Sequence, residues 1–158
     1  MSFEFADATA GDLAEVAAAG AAFRRHWESF QNMQPTPAFD GGLEDITALD
    51  FLVYEQLGTP DGGLRLAALA WGNVLAVQAG LPWVRAVSGD LWLGGGQGGQ
   101  AVLWPYARLV EYKVRKWPHD DHYLWLTHRV VEELIESDTL CFELEERLRG
   151  LQAALGGS

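Results

Sequence analysis

The hydrophobic positions in the middle of the chain predict one helix that is apolar on nearly every side. Apolar residues recur there at helical spacing, and others fill the opposite side. Thr59 is placed to cap the first turn, Pro60 suits the first helical position, and Gly80 suits a left-handed stop. A helix that is apolar all round usually lies at the centre of a fold. We therefore predict a central helix over residues 60–80.

Small residues mark one stripe of this helix. Ala68, Gly72 and Ala76 lie four apart, so we expect another backbone to approach closely there. Such an approach would explain Gly72, since glycine costs about 1 kcal/mol relative to alanine in a helix interior. Three polar residues interrupt the apolar span and argue against a membrane helix: Arg65, Asn73 and Gln78.

Beyond the central helix, the hydrophobic period changes to alternation and predicts a small antiparallel sheet. Residues 83–87 and 91–93 have the pattern of two strands joined by a tight turn. The glycine-rich residues 94–99 predict a flexible connection to a third strand over residues 101–104. Pro105 ends this strand, because it has no N–H to donate, and it can open the next helix.

Helical periodicity before the central helix and after the predicted sheet indicates the remaining elements of the fold. We predict five further helices, over residues 9–30, 41–57, 106–117, 123–136 and 137–155. Thr9 and Asp12 resemble a capping box at the start of the first helix, and Ser137 or Asp138 is the expected cap of the last. The 158 residues fit one domain, 1–158. The expected fold class is α+β, with five or six helices around a three-stranded antiparallel meander.

The last predicted helix carries a leucine seam. Such a seam packs either on its own domain or on a second subunit, so a monomer and a homodimer through residues 137–155 both remain open. The seam consists of Leu140, Leu144, Leu148, Leu151 and Leu155.

Several of these features occur together over residues 60–120. A small-residue helix is followed by Gly80-Leu81-x-Trp83-Val84, a two-strand meander, an apolar strand ending in Pro105, and a helix with basic residues near its end. This arrangement resembles a family of bacterial domains of unknown function. Members of that family usually carry a more polar, charged hairpin turn where this chain has GGGQGG. The resemblance implies a fold and transfers no catalytic residues.

Composition narrows the classes of function and compartment. The net charge of −11 argues against a nucleic-acid partner, because phosphate binding depends on basic surface. Cys141 is the only cysteine, so we expect a reducing, cytoplasmic compartment. It lies among apolar positions at helical spacing, which favours a buried structural thiol over a nucleophile. The N-terminal residues lack a basic segment leading into an apolar run, so no signal peptide is predicted.

The acidic residues are concentrated in one part of the sequence. Between His26 and Leu64 there are seven of them and no lysine or arginine: Glu28, Asp40, Glu44, Asp45, Asp50, Glu55 and Asp61. Helix surfaces normally mix the two signs of charge. A solvated acidic face is one interpretation. The other is a docking surface for a basic partner, formed by Asp40, Glu44, Asp45, Asp50, Glu55 and Asp61.

Four tryptophans suggest a second kind of site. An apolar ligand between the sheet and the helices would be lined by Trp71, Trp83, Trp92 and Trp104. Core packing is the alternative role for each of these side chains.

The segment His119-Asp120-Asp121-His122 combines ligand types that suit a divalent transition metal. The candidate ligands are His119, Asp121 and His122, in a metal-dependent hydrolase. Helix capping explains the aspartates without a metal. No cofactor is predicted, since Gly94-x-Gly96-x-x-Gly99 matches a dinucleotide fingerprint but no helix follows it.

These observations favour a non-enzymatic, acidic protein-binding protein, of the immunity or inhibitor type, that covers a basic effector. A small-molecule binder with a tryptophan-lined pocket and a metal-dependent hydrolase remain as alternatives.

Overall fold

Six helical segments and a three-stranded antiparallel sheet make up the part of the chain that the computed structural model describes, residues 5–29, 37–49, 62–115 and 122–155. The α+β prediction is confirmed. The strands are β1 (Phe5–Asp7), β2 (Trp83–Ala86) and β3 (Leu91–Leu93). The helices are α1 (Ala10–Glu28), α2 (44–49), α3 (Gly62–Ala79), α4 (Pro105–Arg115), α5 (His122–Ser137) and α6 (Phe142–Ala154). A short 3-10 turn, Gln97–Gly99, precedes α4.

Helix α1 begins with the capping box that its sequence predicts. The Thr9 hydroxyl accepts the Asp12 N–H at 3.0 Å, and the Asp12 carboxylate accepts the Thr9 N–H at 2.9 Å. These bonds satisfy backbone donors that lack partners at a helix start. Asp12 also accepts a hydrogen bond from Arg85 at 2.8 Å, which ties the start of α1 to strand β2.

Helix α3 occupies the centre of the fold, as predicted. It packs against α1, α4 and α6, and it ends at Ala79, followed by Gly80 with a φ of +74°. Its outer side is less buried than its apolar composition suggests, since Leu66 and Val77 are 37% and 52% exposed. The predicted capping residues Thr59 and Pro60 lie outside the described residues. The buried side chains of α3 are Leu64, Ala67, Ala68, Leu69, Ala70, Trp71, Val74, Leu75 and Ala79.

The sheet contains a strand that the sequence pattern does not indicate. β2 lies between β1 and β3, and both pairings are antiparallel. The predicted third strand over residues 101–104 is wrong, because this segment makes only an isolated bridge between Leu93 and Leu103. The N–H groups of Val102 and Leu103 both donate to the Leu93 carbonyl, at 2.8 and 3.3 Å, and this sharing interrupts a regular ladder.

The glycine-rich residues 94–99 form hydrogen bonds with another part of the chain, although the sequence predicts a flexible connection. The Gln97 N–H donates to the Thr139 carbonyl at 2.8 Å, and Gly96 forms a bridge with Leu140. This segment therefore packs on the connection between α5 and α6.

Helix α6 begins at Phe142, with Cys141 at its N-cap position, so the predicted start at Ser137 is wrong. The Ser137 hydroxyl donates to the Leu134 carbonyl at 2.7 Å, and Asp138 has a φ of +56°. Such a left-handed residue ends a helix, so Ser137 and Asp138 close α5 and do not cap α6. Cys141 is exposed, which also corrects the predicted buried thiol.

The leucine seam of α6 packs within its own chain. Helix α6 contacts α5 and α3. Its buried leucines are therefore already covered, and a dimer through this helix would have to use its outer side. The buried members are Leu140, Leu148, Leu151 and Leu155.

Candidate protein-binding surfaces

The first candidate surface is the acidic segment that precedes α3. Asp40 and Glu44 are exposed where the chain enters α2. A Cβ atom built on Gly42 would lie 3.6 Å from Glu44 Oε1 and 3.7 Å from Asp40 Oδ1, so both carboxylates flank the same glycine. The structure thus brings these two predicted site residues together. The candidates Asp50, Glu55 and Asp61 lie outside the described residues.

Asp45 does not belong to this exposed surface. It is 1% exposed, and its carboxylate accepts the N–H groups of Phe39 at 3.1 Å and Gly41 at 2.8 Å. Burial raises the pKa of Asp45, and the two backbone hydrogen bonds oppose that shift. The prediction that Asp45 is a partner-binding residue is therefore corrected. The sequence shows the charge of this side chain but not that it points inward. Asp45 stabilises the loop that contains Asp40 and leads to Glu44, its two exposed acidic neighbours.

Packing fixes this loop at further points. Phe39 has a left-handed backbone, with φ at +53°, and its ring stacks against Phe23 with the centroids 6.0 Å apart. The Gln78 side chain donates to the Gly41 carbonyl at 2.9 Å, which attaches the loop to α3. A partner would therefore meet Asp40 on a pre-ordered loop, so binding would cost little ordering entropy.

The second candidate surface is the outer face of the sheet. Side chains alternate along strands, and Trp83, Leu91 and Leu93 point into the core. The register pairs Phe5 with Ala86, Asp7 with Val84, and Val84 with Trp92. These positions share the opposite face: Phe5, Asp7, Val84, Ala86 and Trp92.

An aromatic cluster occupies that face. Trp92 and Trp104 stack with their ring centroids 4.9 Å apart, and Phe5 meets Trp92 edge-on at 5.2 Å. Tyr106 lies beyond Trp104 at 6.1 Å. Phe5, Trp92 and Trp104 are half-buried. Half-exposed aromatic side chains are enriched in protein interfaces, because they combine a large apolar area with few rotatable bonds.

A surface groove runs along this cluster, and we call it the outer groove. Its volume is about 440 Å³. Val87 is 86% exposed at its margin, and Ser88 and Asp90 add polar groups at one end. The outer groove is lined by Phe5, Ala86, Val87, Ser88, Asp90, Trp92, Ala101 and Trp104. Sequence reasoning missed Phe5, Val87 and Asp90 as site residues. It assigned Val87 to a strand and Asp90 to the following turn, and no local pattern places Phe5 beside them.

The four tryptophans proposed for one pocket are placed in different surroundings. Trp71 is fully buried in α3, and its Nε1–H donates to Thr127 Oγ1 at 2.8 Å. Trp83 is 8% exposed and, together with Trp104, lines a small cavity of about 20 Å³, near the size of one water molecule. Only Trp92 and Trp104 line the outer groove. Core packing thus accounts for Trp71.

Carboxylates outnumber arginines around the sheet. Arg65 lies between Glu15 at 3.6 Å and Asp90 at 4.0 Å. Arg85 pairs with Asp12 at 2.8 Å. The Thr9 backbone hydrogen bond, together with Arg85, lowers the pKa of Asp12. The exposed Asp7 adds a further negative charge, so this end of the molecule is acidic.

Arg108 of α4 pairs with acidic residues of its own chain. Arg108 donates to Glu133 at 2.8 and 3.4 Å, and Arg129 lies 3.1 Å from the same carboxylate. The hydrogen bonds from Arg108 are the main reason that the pKa of Glu133 is lowered. This pairing supports a structural role for Arg108, which links α4 to α5.

The proposed metal ligands His119 and Asp121 lie outside the described residues, and His122 opens α5 with its side chain not described. Across the four described ranges, no group of three or more histidine, cysteine or acidic side chains could hold a metal ion. His128 Nε2 lies 3.1 Å from the Leu155 carbonyl and contacts the end of α6.

Among the described residues, no helix combines the length and the apolar character that a bilayer span needs. No protein-family model matches the chain, and no curated protein or solved structure shows significant similarity to it. The resemblance over residues 60–120 therefore stays a prediction.

Proposed function

We propose that this chain is a non-enzymatic protein-binding protein whose partner is basic, as an immunity or inhibitor protein for a basic effector would be. The observation that carries the proposal is the acidic segment between His26 and Leu64, which contains no lysine or arginine. Within it, Asp40 in the loop and Glu44 at the start of α2 are exposed and flank Gly42. Two neighbouring carboxylates suit a cationic surface.

The expected contribution of this segment is to the rate of association. Long-range attraction between opposite charges raises the association rate constant and falls as salt screens it. The Debye length is about 8 Å at physiological ionic strength, so the effect is largest at low salt. The net charge of −11 acts in the same direction over the whole molecule.

The test separates local from global charge. The double variant Asp40→Asn/Glu44→Gln removes two exposed carboxylates from the acidic segment. The control Glu143→Gln/Glu146→Gln removes two exposed carboxylates from α6 and gives the same net charge. Association with a panel of basic effector proteins is measured by surface plasmon resonance at low and physiological salt.

For an effector that binds, we expect the loop variant to reduce the association rate several-fold at low salt and the α6 control to reduce it less. Equal reductions would mean that only net charge matters and would contradict the proposed surface. Failure of every basic protein in the panel to bind would count against the function itself.

We also propose a cytoplasmic location, because the chain has one cysteine and so cannot form an internal disulfide. Fractionation of cells that produce the native protein tests this location.

A further inference from the structure

We infer that the outer groove is the contact site for an arginine- or lysine-bearing segment of the basic partner. This inference rests on the proposed function and names the part of the surface that would anchor the partner. It follows from the arrangement of aromatic and acidic side chains on the outer face of the sheet.

Aromatic and acidic residues alternate on that face in a regular way. Phe5 and Asp7 lie two residues apart on β1, and Asp90 and Trp92 lie two residues apart at the start of β3. Residues at this spacing share a face and are about 7 Å apart. Phe5 and Trp92, whose rings are in contact, therefore each have a carboxylate two residues away on the same face: Asp90 lines the groove, and Asp7 lies beside it.

This spacing matches the dimensions of a long basic side chain. Lysine and arginine carry an apolar stem of three or four methylene groups and a charged head, and the stem packs on apolar surface while the head stays solvated. A stem lying on the rings of Phe5 or Trp92 would bring its head to Asp7 or Asp90. An acidic or purely apolar segment would satisfy only one half of this arrangement.

The charges around the groove support a cationic occupant. Asp90 is the charged residue among those that line the groove. The neighbouring Arg65 is shared between Asp90 at 4.0 Å and Glu15 at 3.6 Å, so it does not neutralise both carboxylates. Asp7 does not line the groove, but it is exposed on the same face of the sheet, where it pairs with Val84, and it adds negative charge there.

Val87 gives the groove an apolar contact point that the fold does not need. It is 86% exposed at the tip of the β2–β3 turn, so its side chain can be changed without disturbing the core. Phe142, 77% exposed at the start of α6, offers a matched apolar residue outside the groove.

The experiment uses the full chain and a defined probe, the peptide acetyl-Arg-Val-Arg-Val-Arg-amide, with the same peptide carrying glutamate for arginine as a control. Peptide is added while the indole N–H signals of Trp92 and Trp104 are followed by nuclear magnetic resonance, after assignment by single tryptophan-to-phenylalanine variants. We expect saturable shifts of both signals with the arginine peptide and none with the glutamate peptide.

Four variants locate the binding. Asp7→Asn/Asp90→Asn is expected to weaken peptide affinity about five-fold, the size expected for losing exposed ion pairs. Val87→Ser is expected to weaken it about two-fold, and Phe142→Ser to leave it unchanged. Glu143→Gln/Glu146→Gln changes the net charge by the same amount outside the groove. It therefore shows how much of the affinity loss in Asp7→Asn/Asp90→Asn comes from net charge alone.

The outcomes separate this inference from the proposed function. The outer groove would not be the contact site if the arginine peptide bound and left both indole signals in place. The same conclusion would follow if the groove and α6 charge variants weakened binding equally. The acidic-loop test of Asp40 and Glu44 would still decide the function. Self-association that Val87→Ser abolishes, without any peptide binding, would assign the groove to a second copy of the chain and would also overturn the inference.

Discussion

A Cβ atom on Gly72 would lie 2.7 Å from Cη2 of Trp83, so the central helix and strand β2 meet where only a hydrogen atom fits. Cγ of Pro105 would be 2.9 Å from the same atom, which brings the start of α4 to this point. The stripe of small residues on α3 does allow a close approach, as predicted. Its partners are two side-chain rings, whereas the sequence suggested another backbone.

Replacing Gly72 with alanine tests this packing. In a helix interior, alanine is more favourable than glycine by about 1 kcal/mol. Overpacking a core typically costs about 1–3 kcal/mol, and a Cβ atom on Gly72 would crowd the rings of both Trp83 and Pro105. We expect Gly72→Ala to lower the free energy of unfolding by about 1 kcal/mol, measured by urea denaturation followed by tryptophan fluorescence.

Gly150 provides the matched control, because it lies in α6 and a Cβ atom there would meet nothing within 4 Å. Gly150→Ala is expected to raise the free energy of unfolding by up to about 1 kcal/mol. If Gly72→Ala stabilised the protein to the same extent, the close approach to Trp83 would be wrong.

The buried hydrogen bond from Trp71 to Thr127 supports a second prediction. Both residues are 0% exposed, and the Trp71 Nε1–H donates to Thr127 Oγ1 at 2.8 Å. Thr127→Val keeps the volume but leaves the indole N–H without its acceptor. Burying an unpaired donor costs about 1–3 kcal/mol, and we expect a loss of that size in the free energy of unfolding.

A double-mutant cycle identifies the cause of that loss. In a Trp71→Phe background there is no indole N–H to satisfy, so Thr127→Val should cost markedly less than it does in the native chain. An equal cost in both backgrounds would show that the hydroxyl matters for another reason, such as its contact with the Tyr123 carbonyl.

Local signals in the sequence were sufficient for most of the helices. The capping box of Thr9 and Asp12, the stop at Gly80 and the helix start at Pro105 each depend on neighbouring residues, and the structure contains all three. Strand β1 could not be predicted in this way. It is three residues long, and its partner β2 lies far along the chain, with no hairpin turn between them.

The candidate surfaces were only partly predictable for the same reason. Sequence gives the charge of Asp45 but does not show that it turns inward to accept two backbone N–H groups. The outer groove depends on pairing that brings Phe5 beside Trp92, which no local pattern reveals. The exposure of Cys141 was missed because the end of α5 at Asp138 requires a left-handed backbone in a residue other than glycine.

The capping carboxylate of Asp12 predicts one direction of pH dependence. Its pKa is lowered by the hydrogen bond from the Thr9 N–H and by Arg85, so folding favours the ionised form. Its contribution to stability is present above the usual value of 3.8 and is lost as pH falls through the lowered pKa. The difference in unfolding free energy between the native chain and Asp12→Asn should therefore shrink on acidification, as measured by urea denaturation at a series of pH values.

For Asp45 we predict the opposite change of stability with pH. Burial raises its pKa, so folding favours the protonated form. Its contribution to stability is present below 3.8 and is lost as pH rises through the raised pKa. The native chain should therefore gain stability relative to Asp45→Asn as pH falls from neutral, in the same denaturation series. Asp12→Asn serves as the internal comparison, and parallel pH trends for the two variants would show that the Asp45 carboxylate is not buried in solution as the fold requires.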